Sequence, residues 1–264
     1  MIDFKLWEHD KKTLLDIVDL LNNVYPSNLT SLDRFLWKHL NNPEGNSVIA
    51  CAYYEKKLIG ARAFWFFYDG KERLLQPCDT VTHPGFQRRG VFSKLTNMCL
   101  DCTNDIVKFN FPNLSSMPGY LKLGWTKQKT SSWRVSLPTL NNNLIRTDIE
   151  TLKEILNYCA DKRWADFITW RFFDWPDNNY NFYLIDNGFY IVNSKRFCTF
   201  VAFNTDDYQR KVAPALTFSF FDQDSTISGA PIPLFVKSPP NFVVLGDHCP
   251  DFSLIDIIGA MDTF

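Results

Sequence analysis

A chain of 264 residues with 45% hydrophobic side chains can form one large or two ordinary globular domains, each with a real core. Its formal net charge of −1 and pI near 6.4 exclude the broad positive field by which nucleic-acid binders gather phosphate backbones, so no nucleic-acid partner is expected. Seven scattered cysteines, an odd number, exclude a disulfide-stapled secreted module, and no apolar run reaches the roughly 18 residues that cross a bilayer, so we expect a soluble cytoplasmic protein without a membrane partner.

The first twelve residues carry Asp3, Lys5, Glu8 and Asp10 and have no apolar stretch of the secretory kind. Leu14, Leu15, Ile17, Val18, Leu20, Leu21 and Val24 then form a helical stripe, and Ser31 is a plausible N-cap for a second helix to His39, so two helices are expected to open the chain. Ser47 to Tyr54 and Leu58 to Tyr68 are rich in β-formers and separated by Glu55-Lys56-Lys57, which predicts a hairpin. Asp69-Gly70 signals a turn before a third strand at Leu74 to Val81, where Pro77 marks an edge or a bulge.

Between that strand and the next helix stands His83-Pro84-Gly85-Phe86-Gln87-Arg88-Arg89-Gly90-Val91-Phe92. Apolar residues at Val91, Phe92, Leu95, Met98, Cys99 and Cys102 fall on one helical face, so Gln87 to Phe92 sits at a helix N-terminus. Such an end offers unpaired backbone N–H groups and about half a positive charge, which suits a diphosphate; Gly90 permits close approach, and Arg88, Arg89 and Lys94 add mobile charge. Cys99 and Cys102 form a C-x-x-C pair, but they lie on the apolar face and no second Cys/His pair stands at zinc-finger spacing, so core packing is expected and no metal.

Farther on come Phe109-Asn110-Phe111-Pro112-Asn113 and Gly119-Tyr120-Leu121-Lys122-Leu123-Gly124-Trp125. With the earlier loop, these resemble the GNAT superfamily of N-acetyltransferases, whose acetyl-coenzyme A loop reads Gln/Arg-x-x-Gly-x-Gly/Ala at the start of a helix. Gln87, Gly90 and the spacing match, while Phe92 replaces the expected small residue. The resemblance covers roughly residues 1 to 138. It implies an α+β fold with a mixed, mostly antiparallel sheet flanked by helices, and acetyl-coenzyme A as acyl donor. It implies that Val81, Thr82, Gln87, Arg88, Arg89, Gly90, Val91, Phe92 and Ser93 hold the coenzyme and that Asn113 bonds its pantetheine arm. It also implies a bulge in the third strand.

Pro138 and Asn141-Asn142-Asn143 mark a linker, dividing a coenzyme-binding domain at 1–140 from a second α+β unit at 147–264. In the second unit a helix over Asp148 to Cys159 leads into strands at Tyr180 to Ile185, Gly188 to Asn193 and Phe197 to Asn204, with a turn at Asp186-Asn187-Gly188. Prolines 231, 233, 239, 240 and 250 predict extended segments after them. This order resembles a degenerate GNAT-like copy. Trp164, Trp170, Trp175, Tyr180 and Tyr183 could stack on sugar rings, though large aromatic side chains more often fill cores.

The chemistry implied is attack of an amine on a thioester, which needs a base, N–H donors for the developing oxyanion and an acid for the thiolate. Tyr120 matches the superfamily's acid by its place in Tyr-x-Lys-Leu-Gly-aromatic. Gln76 falls where several members place a carboxylate but cannot accept a proton, so Asp79 is the candidate base, with His83 the nearest imidazole and a water chain an open alternative. The expected acceptor is a small-molecule amine, with an amino sugar of a bacterial surface-polysaccharide pathway as an analogy. A catalytically inactive coenzyme-binding or structural module and an aminoacyl transferase using tRNA remain as alternatives.

Overall fold

The computed structural model describes residues 1–128, 132–136, 145–159, 161–177, 180–185, 188–193, 198–201, 217–221, 233–237 and 241–250. The linker residues Pro138 and Asn141 to Asn143, the turn residues Asp186 and Asn187, and prolines 231, 239 and 240 lie outside them. The chain divides into two compact units, residues 1–110 with 245–249 and residues 111–244 with 250–264.

The first unit opens with a strand, β1 (Ile2–Leu6), before the two expected helices α1 (Lys11–Val24) and α2 (Leu32–His39). Asp10 caps α1 by accepting from Thr13 N at 2.7 Å, and Ser31 caps α2 by accepting from Arg34 N at 3.2 Å. The strands β2 (Val48–Tyr54) and β3 (Lys57–Tyr68) are joined by Glu55 and Lys56 alone, both at positive φ, 50° and 64°. Two left-handed residues between paired Tyr54 and Lys57 are the tight hairpin turn whose twist matches the strands. Next come β4 (Arg73–Thr82), α3 (Val91–Asp101) and β5 (Lys108–Asn110), and the sheet order is β1-β2-β3-β4-β5.

Every pairing in that sheet is antiparallel except β4 with β5, which run parallel and register at Leu75 and Lys108. Leu75 N donates to Val107 O at 3.0 Å. Strand alternation aims the backbone nitrogen of residue 77 the same way, and there the proline ring has no hydrogen to give. Pro77 therefore ends this ladder. It is not a bulge, since it stands in register opposite Phe64; the bulge comes two residues later, where Asp79 and Thr80 together face Arg62.

Helix α3 covers one face of the sheet, its Val91, Leu95 and Cys99 packing with Ala50, Phe64 and Leu75. On the other face α2 brings Trp37 within 6.2 Å of the Trp65 ring. Cys99 is buried in the core as expected, but Cys102 is exposed at the end of α3, so only the first cysteine of the pair has a packing role.

The second unit begins with α4 (Met117–Lys122) and β6 (Thr126–Gln128), followed by β7 (Ser132–Ser136), β8 (Ile145–Thr147), α5 (Ile149–Cys159) and α6 (Lys162–Ile168). Strands β9 (Tyr180–Ile185), β10 (Gly188–Asn193), β11 (Cys198–Val201), β12 (Thr217–Phe221), β13 (Pro233–Lys237) and β14 (Phe242–Leu245) complete it. One sheet runs β13-β7-β12-β11-β10-β9-β8, and β14 pairs antiparallel with β6. After α6 a π-turn at Thr169–Phe173 buries Arg171, its guanidinium 4.9 Å from the Phe172 ring and 5.3 Å from the Trp175 ring. Trp170, Trp175 and Tyr180 are buried with it and fill the unit's core, while Trp164 and Tyr183 are half-buried. Among the described residues no helix is long and apolar enough to cross a membrane.

Candidate active site

The junction of β4 and α3 forms a concave loop. Pro84–Phe86 makes a single 3-10 turn, capped by His83, whose Nδ1 accepts from Gly85 N at 3.2 Å. The Gln87 amide reaches back and donates from Nε2 to Thr82 O at 3.2 Å, tying the loop to the strand end. Arg88 then takes φ 60°, and Gly90, the N-cap of α3, takes φ 77° and ψ 3°. Left-handed conformations at 88 and 90 curl the backbone so that successive N–H groups converge, the geometry of an anion nest.

The first hydrogen bond of α3 runs from Lys94 N to Gly90 O at 3.0 Å. The N–H groups of Val91, Phe92 and Ser93 precede that ladder and meet the positive end of the helix dipole. A cleft of about 380 Å³ opens over them. Of the residues expected to hold coenzyme, Thr82, Gln87, Arg88, Gly90, Val91, Phe92 and Ser93 line it. Val81, on β4 itself, is buried and does not line the cleft, and Arg89 lies with its guanidinium 5.2 Å from the Phe86 ring.

Phe92, where the motif has a small residue, is 37% exposed and lines the cleft, with the Arg62 guanidinium 5.3 Å from its ring. Three lining residues escaped the sequence reading: Tyr25, Thr80 and Phe86. Thr80 shares a strand face with Thr82, and alternation would have found it. Phe86 stood inside the loop, but no spacing tied Tyr25, at the end of α1, to a site sixty residues on.

Asp79 is held on the α2 face of the sheet. Its Oδ2 accepts from Lys38 Nζ at 2.7 Å and from His39 Nε2 at 3.0 Å, and its side chain is 26% exposed. Burial raises the carboxyl's pKa, but the Lys38 ammonium and the His39 ring outweigh it and hold the group well below the usual carboxylate range. His39 is fully buried, and desolvation keeps its ring below the ordinary imidazole value despite the carboxylate; its Nδ1 lies 2.8 Å from Ser47 Oγ. An N–H at Nε2 toward Asp79 and an acceptor at Nδ1 toward the serine hydroxyl satisfy both nitrogens of a neutral ring. Cys78 joins His39 and Asp79 with donor atoms within 4.8 Å of one another, but the Lys38 ammonium already supplies the positive charge there.

Gln76 is buried beside them, its Oε1 accepting from Trp65 Nε1 at 2.9 Å, and Lys38 Nζ lies 4.5 Å from that tryptophan ring. Both β4 side chains considered for proton transfer are thus engaged by neighbours, and a carboxylate held so far ionised is a weak proton acceptor.

Two candidates belong to the second unit. Asn113 Oδ1 accepts from Ser116 N at 2.8 Å, so its side chain shapes the turn into α4. Tyr120 is buried on α4 with its ring 5.0 Å from that of Trp125, edge to face, and Gly124 at φ 85° lets the chain leave the helix.

The architecture has counterparts among solved structures. A conserved protein of unknown function from Enterococcus faecalis V583 superposes with TM-score 0.64 at 12% identity, covering 92% of this chain and 72% of its own. A GCN5-related N-acetyltransferase from Anabaena variabilis gives 0.59 at 12% identity, with 92% and 72% covered. This chain has the GNAT fold. Eis1 from Mycobacterium abscessus shares it as well, with TM-score 0.57, 12% identity and coverage of 92% and 73%. No protein-family model and no curated protein matches the sequence. The GNAT sheet is mostly antiparallel and flanked by helices, as the motifs implied.

Proposed function

We propose that the protein is an acetyl-coenzyme A-dependent N-acetyltransferase of a small-molecule amine. The observation that carries this reading is the cradle at the β4–α3 junction. Left-handed Arg88 and Gly90, three N–H groups ahead of the α3 ladder and a cleft of about 380 Å³ suit a diphosphate. The exposed Arg88 on the cleft wall adds charge that a coenzyme needs and that the chain's overall charge of −1 does not supply.

In this reading residues 1–140 carry the coenzyme, and residues 147–264 form a degenerate GNAT-like or accessory unit. The thioester supplies the electrophile. Tyr120, by its place in the motif, donates the proton to the departing thiolate, and with reference values of about 10 and 8.5 that transfer is uphill by roughly 2 kcal/mol unless it accompanies bond cleavage. The base is assigned to water reaching the amine, since Asp79 is committed to Lys38 and His39. Among the described residues Cys51, Cys78, Cys99 and Cys102 are reduced thiols, which suits a cytoplasmic protein.

The engagement of Gln76 and Asp79 also favours a second reading, a coenzyme-binding module without catalysis. Both readings expect coenzyme A at 100 times its dissociation constant to add about 2.7 kcal/mol of stability in thermal unfolding. Only the enzyme releases thiol in an amine-dependent way, so the decisive assay follows thiol release against amino sugars, amino acids and polyamines, with Tyr120→Phe as the control that lowers turnover and spares coenzyme affinity. Background hydrolysis with every amine would leave the binding module.

A further inference from the structure

The Lys38, His39 and Asp79 cluster lies across the sheet from α3, yet it acts on the strand end that feeds the cleft. Asp79 has φ 39°, a left-handed conformation that is strained for an L residue. It is the first residue of the bulge, and Asp79 and Thr80 both stand opposite Arg62. A bulge of one residue inverts everything after it.

The consequence can be read residue by residue. Cys78 and Asp79 both turn toward α2, where His39 meets them. Beyond the bulge Val81 pairs with Ala61 and is buried, while Thr82 pairs with Gly60, whose added Cβ would strike Val91 of α3. Thr80 accepts a hydrogen bond from Arg62 Nη1, and Thr80 and Thr82 both line the cleft. Were the same residues to run on in a regular ladder with no bulge, Val81 would stand opposite Gly60 and replace the two threonines at the cleft wall, and Thr82 O would turn away from the Gln87 amide it now anchors.

We propose that Lys38 and His39 are positioning residues for the coenzyme cradle: by gripping the Asp79 carboxylate they lock the left-handed bulge that turns Thr80 and Thr82 into the cleft. The inference rests on the coenzyme reading of that cleft. It gives Asp79 a mechanical duty in place of proton transfer, and accounts for a partly exposed carboxylate tied to two donors from a helix forty residues earlier.

The test uses glycine, which takes positive φ without penalty. In the full-length chain, Lys38→Met/Asp79→Gly and Lys38→Met/Asp79→Ala both remove the ion pair without stranding a charge, and differ in whether the backbone can hold the bulge unaided. Coenzyme A affinity is measured by calorimetry, with thermal unfolding as the check on folding. The glycine variant is expected to bind close to wild type, and the alanine variant about tenfold more weakly, the equivalent of 1.4 kcal/mol. Equal affinity in the two variants would overturn the proposal, and so would an alanine variant that binds like wild type. Amide hydrogen exchange over Asp79 to His83 gives a readout without ligand: faster exchange in the alanine variant than in the glycine variant supports the clamp, and equal protection overturns it. Wild-type protein that binds no coenzyme A would instead remove the cradle reading, while the exchange comparison still decides the clamp.

Discussion

At the scale of single residues, backbone conformation does more in this cradle than side-chain charge. Gly90 stands at φ 77°, and a Cβ placed there would meet nothing within 4 Å. Gly90→Ala therefore probes conformation alone. It should cost about 1 kcal/mol in denaturant unfolding and weaken coenzyme A binding by a comparable factor, because the strained loop relaxes away from the nest. Unchanged affinity would show that the N–H groups of α3 do not hold the ligand. The glycine and the glutamine of the loop were legible in the sequence because their roles are local: one needs a left-handed φ, the other reaches five residues back to Thr82 O. The role of Asp79 was not legible. Its partners Lys38 and His39 are distant in sequence, and the bulge that brings it to their face lies at Asp79 and Thr80, where no proline or glycine announces it.

At the scale of elements, the position of the cradle depends on how tightly α3 sits on the sheet. A Cβ on Gly60 would lie 3.0 Å from Val91 Cγ1 and 3.3 Å from Val81 O. The carbonyl cannot yield, so Gly60→Ala should lift the first turn of α3, costing roughly 1–3 kcal/mol of stability and lowering coenzyme affinity with it. Calorimetric titration and thermal unfolding of the same variant check both effects; a drop in stability with affinity intact would mean that the helix end is not part of the site. The helix itself was readable from its apolar stripe, as were α1, α2 and the β2–β3 hairpin. Strand β1 was missed although Ile2, Phe4 and Leu6 alternate with Asp3 and Lys5, because five residues at an edge carry too short a pattern to stand out from a charged terminus. Helix α6 and its π-turn were missed for the opposite reason: aromatic residues crowd every face of that segment and erase the periodicity.

For the molecule as a whole, the buried imidazole makes stability depend on pH. The folded-state pKa of His39 is lowered, so the stability contributed by its neutral ring is fully present above its ordinary value of 6.5 and is lost as pH falls from there toward the lower folded value. Asp79, also lowered, adds a loss that begins only below the ordinary carboxylate value of 3.8. Unfolding midpoints in urea should therefore decline from pH 7 to pH 5 in wild type, and more shallowly in His39→Gln; parallel curves would show that the ring titrates alike in both states.

One interruption in the sheet has a wider effect. Because a proline ring, rather than a movable side chain, withholds the donor after Leu75, no change of solvent, salt or ligand can add a bond from that nitrogen to the β4 side of the ladder.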